Sequence, residues 1–186
     1  MKRAKLLSLI LGLSFTLGAC GGPVKINSFR CPAGVILAST EEWREPQSPA
    51  DPSFTINIVD TALTCVMPST GVIESQLQIG GFLMARKPNG APTGDFAVDI
   101  FIAVLDRNEN IIHNQIERVE IDAVDENVAG AQSEFVHKFN PIQFKMADGD
   151  RANMYRIATG FRLTSEQLEA SRSQRLKRIL PRRSSN

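Results

Sequence analysis

The chain has 186 residues, 42% of them hydrophobic, and its 21 basic and 20 acidic residues give a net charge of +1. This length bounds the chain to about one domain with a sizeable core. The small total charge hides an uneven distribution. From Glu166 onward there are two acids and six bases, whereas the body from Cys20 to Ser165 has 12 bases against 18 acids. The charge is therefore unevenly distributed along the chain, with an acidic body and a basic tail.

The N-terminus has the organisation of an export signal. Lys2, Arg3 and Lys5 precede a short apolar run that ends in Leu17-Gly18-Ala19-Cys20. A basic start, an apolar run and a small-residue cleavage site are typical of such signals. The run is too short for a transmembrane helix, which needs about 20 apolar residues. The final four residues resemble the lipobox of bacterial lipoproteins.

This resemblance implies that residues 1–19 are removed and that Cys20 becomes a lipidated N-terminus. In that family a diacylglycerol alkylates the cysteine thiol, and the freed amine is a further site for a palmitate-like chain. One acyl chain anchors weakly, at about 0.8 kcal/mol per buried CH₂, whereas two or three anchor stably. Gly21 follows the cysteine instead of Asp, which resembles the enterobacterial pattern for outer-membrane sorting. We therefore expect an outer-membrane lipoprotein that faces the periplasm, with residues 20–30 as its tether.

Two cysteines remain once Cys20 is assigned to the lipid. Cys31 and Cys65 form an even pair in an oxidising compartment, where a disulfide is the expected state. A two-thiol metal site or two buried free thiols are the alternatives. No histidine or cysteine spacing in the sequence supports either of them.

Alternation of apolar and polar residues predicts strands through most of the remaining chain. The clearest is 96–105, in which every even position is apolar, and it is followed by a turn at Asp106–Asn110 and a return strand at 111–121. The other predicted strands are 33–39, 54–67 with a break or bulge at Asp60-Thr61, 72–86, 135–144 and 154–163.

Two local features modify this pattern. Residues 41–53 contain three prolines and are predicted to form a loop, with Trp43 covering the edge of the core. Gly80-Gly81 lies in the middle of strand 72–86 and indicates a bulge or the close approach of another backbone.

Six to eight strands, with no helical period before residue 164, predict an all-β fold. The expected architecture is an antiparallel β-sandwich of immunoglobulin or fibronectin type over residues 31–165. With its Cys31-Pro32 pair, Cys65 and the ending Gly160-Phe161-Arg162-Leu163, the segment resembles β-sandwich envelope lipoproteins of Gram-negative bacteria. That resemblance implies no particular activity.

A short helix is predicted at the C-terminus, in the basic segment 166–186. Thr164 is the expected N-cap, and Gln167 three residues later completes a capping box. Leu168, Leu176 and Ile179 form a thin apolar stripe, and Pro181 ends the helix.

Catalytic motifs are absent from the sequence. Serine-hydrolase elbows, glycine-rich phosphate loops and zinc-binding helices do not occur. His113 and His137 fall on different predicted strands without a third ligand or a nucleophile, so each is expected to be a solvated strand histidine. We therefore expect no catalytic residue, no metal, no cofactor and no enzymatic activity.

One pattern imitates a calcium-binding loop. Asp106, Asn108 and Asn110, with Glu117 at the twelfth position, have the spacing of EF-hand oxygen ligands. The sixth position is Ile111, where that loop needs glycine, and the flanking segments are predicted strands. A hairpin turn is the preferred interpretation.

The basic tail is the remaining candidate contact site. Nucleic acid is not available in the periplasm, so anionic headgroups, peptidoglycan carboxylates, an acidic protein or the protein's own acidic body are its possible partners. A solvated helix with a frayed end is the alternative. The tail residues are Arg172, Arg175, Lys177, Arg178, Arg182 and Arg183.

These features predict a lipid-anchored accessory or scaffold protein that binds a protein partner in the envelope. One alternative is a small-ligand or cell-wall binding module with its site between the sheets or near Trp43. Another is a hydrolase with a dispersed site. A pocket lined by aromatic residues would favour the ligand-binding module, and an exposed apolar edge would favour the protein partner.

Overall fold

The fold is known from a computed structural model that describes residues 29–45, 52–88, 92, 96–122 and 130–179. Cys20, Arg182 and Arg183 lie outside the described residues, as do the signal segment, most of the tether and Pro181. The described part contains nine strands and one α-helix. They are β1 (Ala33–Ile36), β2 (Glu42–Glu45), β3 (Phe54–Ser69), β4 (Val72–Ala85), β5 (Phe96–Leu105), β6 (Ile111–Ile121), β7 (Gln132–Lys138), β8 (Ile142–Lys145), β9 (Arg156–Phe161) and α1 (Ser165–Ile179).

The strands form two sheets in a sandwich-like arrangement. The first sheet has the order β1-β9-β5-β6, and the second has the order β2-β3-β4-β7, with β8 also paired to β4. Every ladder is antiparallel except that of β1 and β9, which run parallel with Gly34 opposite Ile157. The predicted all-antiparallel pairing is therefore wrong at this edge. Side chains alternate in the same way in parallel and antiparallel strands, so alternation does not report the direction of a neighbour.

The core lies between the two sheets, and the predicted inward faces are confirmed. Even positions of β5, such as Ile100 and Ile102, are fully buried, and so are the odd positions Ile73, Leu77 and Ile79 of β4. Residues from both sheets join one buried cluster. Apolar burial on this scale is the main favourable term in folding.

The expected irregularity in β3 is a bulge. The register with β4 shifts between Ile58 and Asp60. Before the bulge even residues such as Ile56 point inward, and after it the partly buried residues are the odd ones, Thr61 and Leu63. The bulge thus moves the inward face from one set of residues to the other.

The close approach expected at Gly80-Gly81 is confirmed at Gly81. A Cβ atom there would lie 2.2 Å from the carbonyl oxygen of Asn57 and 2.6 Å from the Phe135 ring. Gly80 has only one neighbour within contact distance, the Cβ of Asp60 at 3.9 Å. Only the second glycine is therefore required by packing.

Two predicted boundaries are wrong. Residues 42–45 of the predicted loop form β2, which pairs with β3. Three of its four residues are charged, as is common in edge strands, and this hides the strand pattern. The predicted strand 135–144 is divided into β7 and β8, which both pair with β4, because the register shifts by one residue between the Lys138–Gln78 and Ile142–Ser75 pairs and Pro141 has no N–H to donate.

The capping box of α1 is confirmed. The Thr164 N–H donates to the Gln167 side-chain oxygen (2.7 Å), and the Gln167 N–H donates to the Thr164 hydroxyl (3.2 Å). The predicted apolar stripe is wrong at Leu176, which is 59% exposed. Leu168 of the stripe is half-buried, and Gln167, Ala170 and Ser171 are buried or half-buried beside it. None of the helical structure in the described residues is long and apolar enough to cross a membrane.

Candidate functional site

The predicted disulfide is present. Cys31 and Cys65 are bonded, with their Cα atoms 5.8 Å apart and 34 positions apart in sequence. The bond fixes the residues before β1 against the C-terminal half of β3. Phe29 and Arg30 are therefore held at a defined place on the body. The metal-site and free-thiol alternatives are thereby excluded.

A cleft of about 530 Å³ lies beside this cross-link. Phe29 and Arg30 form one wall, and Met67, Met146 and Arg151 are among the residues that complete it. Met146 is buried, whereas Met67 is 42% exposed at the end of β3. We refer to this region as the N-terminal cleft, since residues that directly precede β1 line it.

The only carboxylate that lines the N-terminal cleft among the described residues, Asp150, is already engaged. Its carboxylate accepts hydrogen bonds from the Tyr155 hydroxyl (2.9 Å) and from Arg107 (3.1 Å). The Tyr155 hydroxyl in turn accepts from the Ala147 N–H (2.9 Å), and burial raises the pKa of this phenol. Within the described part of the chain, neither Arg30 nor Arg151 has an ion-pair partner, so two guanidinium groups face the cleft without a bound carboxylate.

A second feature is the outer face of the first sheet, which carries exposed apolar side chains among the polar ones that are usual on a solvated sheet face. Phe101 pairs with Ile116 across β5 and β6, and Ala103 pairs with Ala158 across β5 and β9. Ile116 is 49% exposed, and Ile112 on the same face is also exposed. We call this set, with Leu37 beyond β1, the apolar outer face.

Several charged groups beside the apolar outer face form ion pairs with one another. Asp99 lies between Arg118 (3.9 Å) and Arg162 (3.7 Å), and Arg156 pairs with Glu109. The face therefore presents apolar side chains beside ion-paired polar ones. Such a combination is typical of protein contact surfaces.

A polar chain connects the edge strands β6 and β7. Glu117 accepts hydrogen bonds from His137 Nε2 (3.2 Å), from Gln115 (2.9 Å) and from both nitrogens of Asn140 (3.2 and 3.1 Å). The His113 ring contacts Gln115 at 3.4 Å. The two histidines thus belong to the same hydrogen-bonded network, at different points of it. Each has a side-chain partner and is not simply solvated.

This polar chain closes the gap between the two sheets at their edges. No group of three His, Cys, Asp or Glu side chains that could hold a metal ion occurs in the described ranges. The arrangement is that of a structural carboxylate, satisfied by four donors from β6, β7 and the segment after β7.

The calcium-loop imitation is a hairpin turn, as expected. Asp106 accepts from the N–H groups of Asn108 (2.8 Å) and Asn110 (2.9 Å) and from the Asn110 side-chain amide (3.0 Å). The hydrogen bonds from Asn110 are the main reason that the Asp106 pKa is lowered. Glu109 completes the turn with a positive φ of 66°. Glu117 is engaged at the β6–β7 edge, so it does not join these oxygens.

The structure describes the side chains of only two of the tail bases. Arg172 and Arg175 are exposed on α1, while the side chains of Lys177 and Arg178 lie outside the description. Arg175 and Ser171 line a cavity of about 40 Å³ together with Glu41 and Glu42. The start of the basic tail therefore lies beside acidic residues of the body.

No protein-family model and no curated protein sequence matches this chain. Among solved structures, it is similar to Bacteroides uniformis β-glucuronidase 2 covalently bound to cyclophellitol-6-carboxylate aziridine, with 10% identity, a TM-score of 0.30, and coverage of 68% of this chain and 13% of the other. It is also similar to a calcium binding mutant of that enzyme, with 6% identity, a TM-score of 0.26, and coverage of 65% and 14%. At these TM-scores the similarities carry no functional argument.

Sequence reasoning missed the N-terminal cleft and the Glu117 network. Polar residues at the inward positions 113, 115 and 117 of β6 were a detectable signal, because inward polar groups need partners. The cleft had no such signal, since its walls come from three separated segments.

Proposed function

We propose that this protein is a lipid-anchored, periplasm-facing outer-membrane lipoprotein that acts as a non-enzymatic interaction or scaffold module of an envelope assembly. The lipobox-like sequence that ends in Cys20 supports the anchor. The apolar outer face is the observation that carries the interaction. Its exposed isoleucines lie on an edge strand, β6, and several neighbouring charged groups form ion pairs within the chain. A partner with an uncharged, apolar patch fits this face.

The ligand-binding alternative near Trp43 receives less support. Trp43 packs against Phe54 (ring centroids 5.6 Å apart) and Phe96 (5.1 Å). Its ring is thus part of the core edge. Neither the N-terminal cleft nor the small cavity beside α1 is lined mainly by aromatic side chains.

We also propose that the sandwich is of immunoglobulin or fibronectin type. In that fold strands A, B and E lie in one sheet and strands C, F and G in the other, which strand C′ joins in variable-type domains. The neighbours β3-β4-β7/β8 and β6-β5-β9 match A-B-E and C′-C-F. β1 then occupies the place of strand G, but it comes from the N-terminal side and runs parallel to β9. An experimental structure that includes residues 89–95 and 123–129 tests this assignment.

The interaction is tested by site-specific photocrosslinking of the full chain in a Gram-negative host. A photoreactive phenylalanine analogue replaces Ile116 in one strain and Val136 in a matched control. Val136 is 68% exposed on the edge strand of the other sheet. We expect discrete protein adducts from position 116 and few from position 136. Equal adducts from both positions, or none from position 116, would contradict the proposal.

The anchor is tested separately by metabolic labelling with a palmitate analogue. Cys20→Ser should remove the label and change membrane fractionation, because the thioether requires the cysteine sulfur. Equal labelling of the variant and the wild type would exclude lipidation at Cys20.

A further inference from the structure

We infer that the N-terminal cleft binds the phosphate headgroup of an anionic phospholipid in the membrane that carries the anchor. This inference rests on the proposed lipidation of Cys20. It adds a second, non-covalent lipid contact and assigns the side of the domain that faces the bilayer.

The first argument is position. Phe29 is nine residues after Cys20, and nine extended residues span at most about 30 Å. Arg30 is followed directly by Cys31, which is bonded to Cys65. The cleft is therefore built at the point where the tether enters the body, and the tether is short enough to keep this point near the headgroups.

The second argument is charge. Arg30 and Arg151 line the cleft without ion-pair partners in the described residues, and Asp150 is neutralised by Arg107. Guanidinium groups bind phosphate oxygens in a bidentate manner, which lysines do not do as well. A phosphate group in the cleft would thus contact two guanidinium groups without ion-pair partners and no unpaired carboxylate.

The third argument is the apolar surface around these bases. Phe29 and Met67 line the cleft, and Met154, which follows the cleft residue Asn153, is 41% exposed. Apolar side chains next to basic ones are the usual composition of a surface that lies at the bilayer interface. The volume of about 530 Å³ is within the range of small-ligand sites.

The experiment uses the lipidated full-length protein, purified from membranes and reconstituted into vesicles. One vesicle type contains a quarter photoactivatable phosphatidylglycerol, and the other contains the same fraction of photoactivatable phosphatidylcholine. Mass mapping then identifies the labelled peptides. We expect the phosphatidylglycerol probe to label the peptides that contain Met67 and 151–154 and the phosphatidylcholine probe to label them much less.

The matched variants remove equal charge at two places. Arg30→Gln with Arg151→Gln should lower cleft labelling roughly 25-fold, since each base near an anionic surface contributes about five-fold. Arg118→Gln with Arg162→Gln removes two bases beside the apolar outer face and should leave cleft labelling unchanged. Circular dichroism and an intact disulfide confirm that both double variants are folded.

Two results would overturn the inference: equal labelling by the two probes, or unchanged labelling in the cleft variant. A wild-type protein that takes up no palmitate label, or that forms no crosslinks from position 116, would instead contradict the proposed function. Both results are measured independently of cleft labelling.

Discussion

The strand body and the C-terminal helix are held in different ways. In the body, large apolar side chains such as Phe139, Phe161 and Leu77 are almost completely buried, and a disulfide fixes the N-terminal edge. In α1, the side turned to the body carries one large apolar residue, the half-buried Leu168, among polar or small ones, and Leu176 is exposed. Burial of apolar surface dominates stability, so the body should unfold as one unit while the helix adds little. The helix can then lose or change contacts without unfolding the domain.

The largest effect should come from a substitution that opens the body. Gly81→Ala places a methyl group against the Asn57 carbonyl and the Phe135 ring. Because the carbonyl belongs to a paired strand and cannot rotate away, we expect a loss of about 4 kcal/mol or more, above the roughly 1–3 kcal/mol of ordinary overpacking. Urea unfolding measures it. Gly80→Ala is the matched control and should change stability little, so similar losses in both variants would contradict the packing argument.

The disulfide should rank second. Cys31→Ser with Cys65→Ser frees a loop of 34 residues, and the chain-entropy model gives a loss of about 3–4 kcal/mol. Thermal or urea unfolding of the double variant measures this loss. Reduction of the wild-type protein should reproduce it. An unchanged unfolding midpoint would mean that β1 is held by its ladder with β9 alone.

A smaller and local effect is expected at the start of the helix. Thr164→Ala removes the hydroxyl that accepts the Gln167 N–H, which should cost the helix about 1 kcal/mol. Hydrogen exchange should accelerate in α1 and stay unchanged in the strands, whereas Thr164→Ser, which keeps the hydroxyl, should behave like the wild type. Faster exchange throughout the body would show that the helix belongs to the same cooperative unit.

The smallest effect on stability should come from the basic tail. Replacing Arg172, Arg175, Lys177 and Arg178 with glutamine should change the free energy of unfolding by less than about 0.5 kcal/mol, because exposed charges contribute little to folding. If the tail acts by charge, association with membranes or with a partner should nevertheless weaken. A large drop in melting temperature would show that the tail is part of the fold. Unchanged association would support the alternative that the tail is only a solvated helix.

Local patterns predicted most of the elements. The alternation in β4 and β5 correctly assigned their inward faces, and the turn residues Asp106–Asn110 correctly marked the hairpin. The capping residues Thr164 and Gln167 correctly marked the start of α1. Each of these features depends on residues that are close in sequence, where the periods of the strand and the helix act directly.

The pairings and the candidate sites depend on distant residues. Sequence alone determined which residues of β4 and β5 face the core, that Cys31 and Cys65 could pair, and where α1 begins. Only the tertiary structure decided that β1 runs parallel to β9, that Glu117 joins the edges of β6 and β7, and that Arg30 and Arg151 share one cleft. The reason is physical: pleating and capping act within a few residues, whereas strand partners and cavity walls are selected by packing between segments that lie far apart along the chain.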